Sequence, residues 1–326
     1  MRPGLVLLLL FQMVLWGSAY PMIKLGLGGM SADHLTLLRH LVASVAFLPI
    51  LIAMRSRLLP RRQDVPYLFL LGLLGYTIYH LALNFGELHV SAGAASLIIG
   101  TAPAMTALLA TVMMRERLPA LGWIGSLVSF AGVALIVLGD AGGGVSFNAW
   151  SWLVVISAVA SSFYTVLQKR LFTVYRPIEV AAYATWAGTI PLLIFLPGLG
   201  ADVADAPWQA LAATLYIGVF PSTIAYSIYA YALSKVPVTL VTAFLYLVPV
   251  MSLLFAWVML GEVPALVTAV GGAIAIGGIV LLNYAKARAG STLRRPLPQP
   301  ALVAGHQPLD VAGVAVDGEA EQGGRQ

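Results

Sequence analysis

Tyr76, His80 and Asn84 follow one another at i, i+4 and i+8, so a helix would carry them as one polar stripe. Ser222, Thr223, Tyr226 and Tyr229 form a second such group, and Ser157, Ser161, Tyr164 and Gln168 a third. The first apolar run adds Trp16, Ser18, Tyr20 and Lys24. Aromatic rings flanked by hydroxyl, imidazole and amide groups suit the binding of small amphipathic molecules. Arg39 and Glu87 add one cation and one anion inside or beside apolar runs. A charge taken out of water needs a partner. Arg39 is therefore expected to pair with Glu87 or Asp33, with anion binding as its other open role. Pro103 and Pro249 stand in the middle of apolar runs, where each ring removes a backbone donor and displaces the carbonyl one turn back, at Ile99 and Leu245. Such a kink is either a packing detail or an opening of polar backbone onto a cavity, and its recurrence at equivalent places favours the cavity.

No bond-making machinery accompanies these groups. The chain contains neither a phosphate-binding G-x-x-x-x-G-K-[ST] loop nor an H-E-x-x-H zinc motif. Its 5 histidines, His34, His40, His80, His89 and His306, have no metal-ligand spacing, and there are 0 cysteines. No catalytic residue, metal or cofactor is expected.

Apolar helices must position these side chains. Of the 326 residues 60% are hydrophobic and only 10% charged, where a soluble domain carries about 25% charged residues. The apolar runs are Leu5–Leu27, His34–Met54, Val65–Leu83, Ala92–Met114 and Ala120–Gly139, then Trp150–Gln168, Ile178–Leu196, Trp208–Leu233, Val238–Leu260 and Pro264–Tyr284. Each is long enough for a helix to cross about 30 Å of hydrocarbon. The expected fold is an all-α membrane protein of ten transmembrane helices. The net charge of +5 comes from basic residues in short loops, a record of orientation rather than of a nucleic-acid partner. Arg2, Arg55, Arg57, Arg61, Arg62, Arg115, Arg117, Lys169, Arg170, Arg176 and Lys235 fall on one side, with Lys286, Arg288, Arg294, Arg295 and Arg325. Asp33, Glu87, Asp140, Asp202 and Asp205 fall on the other. The positive-inside rule then places both termini in the cytoplasm of a multi-pass protein of the inner or plasma membrane.

The two halves repeat. A shift of 146 positions (249 − 103) pairs Pro103 with Pro249, Met105 with Met251, Glu116 with Glu262, Gly125 with Gly271 and Gly132 with Gly278. The expected repeats are residues 1–140 and 147–286, each of five helices. An odd number of crossings per copy inverts the second copy, a recurrent plan of secondary transporters that bind substrate at the midplane between copies. Gly125, Ser129 and Gly132 recur as Gly271, Ala275 and Gly278, and small residues at this spacing mark spans five and ten as packing elements. Residues 287–326, without an aromatic side chain and with Pro296, Pro298, Pro300 and Pro308, read as a disordered cytoplasmic tail.

Together these signals predict a midplane cavity lined by Trp16, Tyr20, Tyr76, His80, Tyr164, Tyr226 and Tyr246, with the Pro103 and Pro249 kinks beside it. Its partners would be a small-molecule substrate and the lipid bilayer, with no nucleic acid.

On these residues the chain resembles the drug/metabolite transporter superfamily, in particular its ten-span EamA-type branch. Trp16-Gly17-Ser18 through Lys24 and Arg39 match the first two spans. Pro103-Ala104-Met105 through Glu116-Arg117-Leu118 to Gly125 resembles the family's repeat signature, and Pro249-Val250-Met251 through Leu260-Gly261-Glu262 to Gly271 resembles its second copy. The resemblance covers residues 5–285; Tyr79-His80 departs from it. It implies export or exchange of small metabolites, often amino acids, through a central cavity between two five-helix repeats. Two other functions stay open: exchange of phosphorylated or nucleotide-linked sugars, which needs more cavity cations than Lys24 and Arg39, and a non-transporting receptor or scaffold, which has no need of an inverted repeat. No carboxylate is expected in a span interior, so facilitated diffusion or weak coupling is expected, with His80 the one credible proton site. The alternative for His80 is a neutral ring held by Tyr76 or a backbone carbonyl.

Overall fold

The computed structural model describes residues 3–114, 119–139, 149–236, 241, 244–245 and 247–293. Glu116, Asp140, Tyr246 and the segment 294–326 lie outside the described residues. Among the described residues every regular element is helical: α1 (Pro3–Leu27), α2 (Ala32–Ala53), α3 (Arg62–Glu87), α4 (Ala92–Ile99), α5 (Ala102–Met114), α6 (Ala120–Gly139), α7 (Ser151–Thr173), α8 (Pro177–Phe195), α9 (Leu199–Asp205), α10 (Trp208–Lys235), α11 (Leu247–Leu260) and α12 (Leu266–Leu293). Six of them, α1, α2, α3, α7, α8 and α10, are long and apolar enough to cross a bilayer, and four shorter apolar stretches lie at Ala92–Thr106, Ala120–Ile136, Leu247–Leu260 and Leu266–Leu282.

Local chemistry sets the ends. Gly28 and Gly29 close α1, the Ser91 hydroxyl caps α4 by accepting from the Ala94 N–H at 3.2 Å, and Gly261 leaves α11 at φ +68°, a conformation that costs glycine little. The helix α12 runs to Leu293, past the expected boundary at 286. Ala287, Arg288 and Ala289 favour helix, and the first proline after them is Pro296.

The outside of the bundle is apolar: Leu7, Val45, Ile52, Leu127, Ile194 and Val258 are exposed. The inside is rich in small and polar residues. Helices approach at glycines, Gly72 against Gly188 between α3 and α8 and Gly125 against Gly278 between α6 and α12, as membrane helices do where packing rather than water drives association. Hydroxyls lock the pairs, as when Thr77 donates to the Gly188 carbonyl at 2.7 Å.

The halves interpenetrate. The opening helix α1 lies against α10 and α11: Trp16 Nε1 donates to the Pro221 carbonyl at 3.2 Å, Ser18 meets the Tyr216 hydroxyl at 2.8 Å, and Gly17 faces Met251. In the same way α7 lies against the first half, where Ser157 donates to the Tyr79 carbonyl at 2.9 Å and Ser162 to the Ala102 carbonyl at 3.0 Å. Polar links join the halves at both ends. At one end Ser31 donates to Asp202 through its N–H (3.1 Å) and hydroxyl (2.8 Å), and His34 Nδ1 meets the same oxygen at 2.7 Å. Burial pushes the Asp202 carboxyl up, but the bonds from His34 and Ser31 outweigh it and hold the group below the usual carboxylate value. At the arginine-rich end the Arg57 N–H donates to Glu179 at 3.1 Å and Arg176 Nη1 to the Met54 carbonyl at 3.0 Å.

Two wide π-helical turns, Leu73–Ile78 in α3 and Phe220–Ala225 in α10, occupy matching places in the two halves. In the second, the Thr223 hydroxyl reaches the Gly218 carbonyl five residues back at 3.0 Å. Such turns insert a residue into a helix and shift the direction of every side chain beyond them.

Candidate functional site

The π turns position the walls of a central cavity of about 830 Å³, its open mouth included. From α1 come Trp16, Tyr20 and Ile23, and from α3 come Tyr79, His80 and Leu83. From α7 come Ser161, Tyr164 and Thr165, and from α10 Tyr226 and Tyr229. The break between α4 and α5 at Gly100 and Thr101 contributes Ile99, Gly100 and Pro103, while Leu245 and Val248 contribute from the matching region before and within α11. Ile99 and Leu245, the carbonyl positions one turn before the two prolines, both face this space. Pro249 is buried behind it, against Gly100.

The wall is aromatic and tightly nested. Trp16 meets Tyr226 at 5.3 Å and Tyr229 at 5.0 Å between ring centroids, and Tyr164 meets Tyr226 at 6.3 Å. These are edge and tilted contacts favoured by the ring quadrupoles. With Trp16 bonded to Pro221, the ring is fixed from both edge and face.

Of the seven residues expected to line the cavity, Trp16, Tyr20, His80, Tyr164 and Tyr226 do so, Tyr246 lies outside the described residues, and Tyr76 does not line it. Tyr76 is fully buried behind the wall, its hydroxyl 3.2 Å from that of Tyr164 and its ring 5.0 Å from Tyr226. The Tyr76–His80–Asn84 stripe faces α2: Asn84 donates to Thr36 at 2.7 Å, and the His80 ring sits 4.7 Å from that of His40. Tyr79 and Leu83, which were not among the expected lining residues, turn toward the cavity with His80. His80 Nδ1 donates to the Tyr76 carbonyl at 3.0 Å and His40 Nδ1 to the Thr36 carbonyl at 2.7 Å. A carbonyl only accepts, so each ring carries its proton on Nδ1 and leaves Nε2 as an acceptor without a protein partner.

Arg39 is 3% exposed and lines the cavity. Its Nε donates to Ser222, in the π turn of α10, at 2.7 Å, and its Nη1 has no hydrogen-bond partner in the protein. The expected ion pair with Glu87 or Asp33 is not formed among the described residues, while at the same end of the molecule as Asp33 His34 pairs with Asp202. The bond to Ser222 holds the guanidinium across to the other half of the molecule. Glu87, at the end of α3, is fully buried with neither carboxylate oxygen hydrogen-bonded. Among the described residues no group of three or more His, Cys, Asp or Glu could hold a metal. The site therefore offers an aromatic enclosure, one fixed guanidinium, hydroxyls and exposed backbone at a helix break: groups that bind and orient.

Comparison with known proteins agrees with this architecture. The model of the EamA-like transporter family matches twice, at residues 4–138 and 148–284. A probable terminal-alkyne amino-acid exporter of Streptantibioticus cattleyicolor is 42% identical over 275 residues, 84% of this chain and 92% of that protein. The uncharacterized transporter YdfC of Bacillus subtilis is 39% identical over 266 residues, 81% of this chain and 86% of that protein. A crystal structure at 21% identity matches with a TM-score of 0.64, covering 90% of this chain and 100% of the other, and so shares the fold.

Proposed function

Because this chain belongs to the EamA-like transporter family, we propose that it exports small zwitterionic metabolites with an apolar body, amino acids first among them. The observation that carries the reading is Arg39, held by Ser222 with Nη1 free of protein partners in the wall of an aromatic cavity. A buried guanidinium is costly unless an anion meets it, and its planar fork fits a carboxylate. The rings of Trp16, Tyr164, Tyr226 and Tyr229 would enclose the rest of an amino acid. The name of the Streptantibioticus relative supports the same substrate class. A phosphorylated or nucleotide-linked sugar fits less well, because Arg39 is the single Lys or Arg among the cavity's lining residues.

The six long helices and four shorter apolar stretches would make ten crossings, the second five inverted relative to the first. The arginine-rich end would face the cytoplasm with both termini. An impermeant thiol reagent applied to intact cells should label Asp205→Cys and leave Leu59→Cys unmodified; both positions are exposed. The opposite labelling reverses the orientation.

The function is tested by counterflow. Purified protein in liposomes preloaded with each of the twenty standard amino acids in turn should take up the same labelled amino acid, while vesicles loaded with a hexose phosphate should not. Counterflow with the sugar phosphate alone would move the protein to the other substrate class, and none with any solute would remove it from transport.

A further inference from the structure

Glu87 has no task in amino-acid binding as described above, yet its surroundings are unusual for a carboxylate. Glu179, also buried, has both oxygens satisfied by the backbone N–H groups of Arg57 and Arg176, at 3.1 and 2.8 Å. Glu87 has neither oxygen satisfied and is 0% exposed. An ionised carboxylate so placed lacks both donors and a contacting counter-ion, whereas a protonated one loses far less on leaving water. Tyr79 and Leu83, eight and four residues before it, line the cavity, so Glu87 continues the same helical face one turn beyond.

Charged and titratable groups approach it from several elements. Lys24 on α1 and Arg39 on α2 attract its negative charge, and Glu262 beyond α11 repels it. The Tyr79 hydroxyl meets that of Tyr20 beside it. On the remaining sides α4 carries no ionisable side chain, and α7 carries Tyr164, Lys169 and Arg170 only in its second half, away from this end. Glu262 is itself engaged, accepting from the Ala92 N–H at 3.1 Å. Lys24, Arg39 and Glu262 thus act on Glu87 through space, and no hydrogen bond fixes either of its oxygens. His80 is less suited to the task. Its Nδ1–H is committed to Tyr76, and a positive ring would face Arg39 with His40 packed against it.

We propose that Glu87 is the coupling carboxylate of this transporter: it takes up a proton from water at its own end of the molecule and releases it when the ammonium group of a substrate held on Arg39 comes beside it. This rests on the transport reading above. An O–H bond forms on Glu87 as a hydronium ion outside loses its proton. That bond breaks, and water on the cytoplasmic side takes the proton, as the substrate ammonium replaces it as the positive partner. Proton and substrate compete for one carboxylate, so each crossing outward of an amino acid is matched by one proton inward.

The test uses the full chain in liposomes, with whichever of the twenty amino acids gives the strongest counterflow. With the membrane potential held at zero, a gradient of one pH unit should drive about ten-fold accumulation by the wild type, the ratio for one proton exchanged. Glu87→Gln, which keeps an acceptor oxygen for the ammonium but cannot take up a proton, should show counterflow with a weakened affinity for the amino acid, and even at saturating substrate it should lose the accumulation. Glu87→Asp should keep both, and His80→Gln should accumulate as the wild type does. Accumulation that survives Glu87→Gln, or counterflow by the wild type with no response to the gradient, overturns the proposal. If no amino acid exchanges at all, the transport reading fails first. Glu87 is then still decided by infrared spectra of the detergent-purified wild type at neutral pH. A protonated-carboxyl band that Glu87→Asp shifts supports the assignment, and absence of the band in the wild type overturns it, whether or not Glu87→Gln folds.

Discussion

Valine at position 132 is expected to keep α6 from seating on α12 and to lower the thermal midpoint of the detergent-purified protein by roughly 5–10 °C, on the order of 3 kcal/mol. A Cβ added at Gly132 would lie 2.5 Å from the Gly271 carbonyl oxygen and 2.7 Å from Ala275 Cα. These are backbone atoms, so no rotamer change on the facing helix relieves the overlap and the two axes have to separate. Gly271 is reciprocal: its added Cβ would lie 2.8 Å from the Gly132 carbonyl oxygen. Separation would also loosen the contact of Gly125 with Gly278, because Gly125 shares a rigid helix with Gly132 and Gly278 shares one with Gly271. Gly277 on α12 supplies the control. It is exposed and a Cβ there meets nothing within 4 Å, so Gly277→Val should melt within a degree or two of the wild type. Equal losses in the two variants would show that placing a β-branched residue in either helix, rather than breaking the helix contact, is responsible. Size-exclusion profiles after heating report the midpoint.

Arg39→Gln is expected to weaken amino-acid binding by about 10- to 150-fold, the 1.5–3 kcal/mol of hydrogen bonding to a charged group. Protein yield should stay near normal, since Ser222 can still bond a glutamine or water. The specific sign lies in substrate choice. The wild type should favour an amino acid over its decarboxylated amine by a similar factor, because the amine has nothing to offer Nη1. In Arg39→Gln that preference should collapse. Arg39→Lys should fall between, keeping the charge without the fork that engages Ser222 and a carboxylate together. A glutamine variant that still prefers the amino acid would place carboxylate recognition elsewhere. Competition against labelled substrate in the counterflow assay gives all three values.

The contrast between Trp16 and Tyr76 shows how far a sequence carries such a site. Trp16, Tyr20, Tyr164 and Tyr226 could be read because a regular apolar helix with few polar residues must turn them inward, and periodicity alone selects their face. Tyr76 sits inside the π turn of α3, where the regular period no longer applies, and its ring is buried behind the wall while Tyr79 takes the cavity. No local signal in Leu73–Ile78 announces the extra residue, although the matching turn at Phe220–Ala225 holds Pro221, a residue that removes a helical donor. Arg39 was legible as a charge in need of a partner, but the partner, Ser222, lies 183 residues away and is neutral. Glu87 was read as an acid at a helix end and as a partner for Arg39. Elements remote in sequence cover this end of α3, where Val154 of α7 lies against the neighbouring Gly86, and a linear pattern records what a residue is rather than what covers it. The helix of α12 beyond residue 286 was missed for the opposite reason: composition drew the boundary, while the residues just past it are good helix formers.

The crossing of α1 into the other half also sets a schedule. The bond from Trp16 to Pro221 joins residues 205 positions apart. At synthesis rates of about 5–20 residues per second, that separation is roughly 10–40 s of waiting. For that time α1 stands in the bilayer before its permanent neighbours have been made, and α2 and α3 arrive beside it first. The run from Leu5 to Phe11, apolar at every position, lets it wait in lipid without aggregating through a polar face. The first helix to be made is thus left incomplete through most of synthesis, and a ribosome that stalls anywhere before residue 216 leaves in the membrane a chain whose opening helix has neither Tyr216 nor Pro221 to close on.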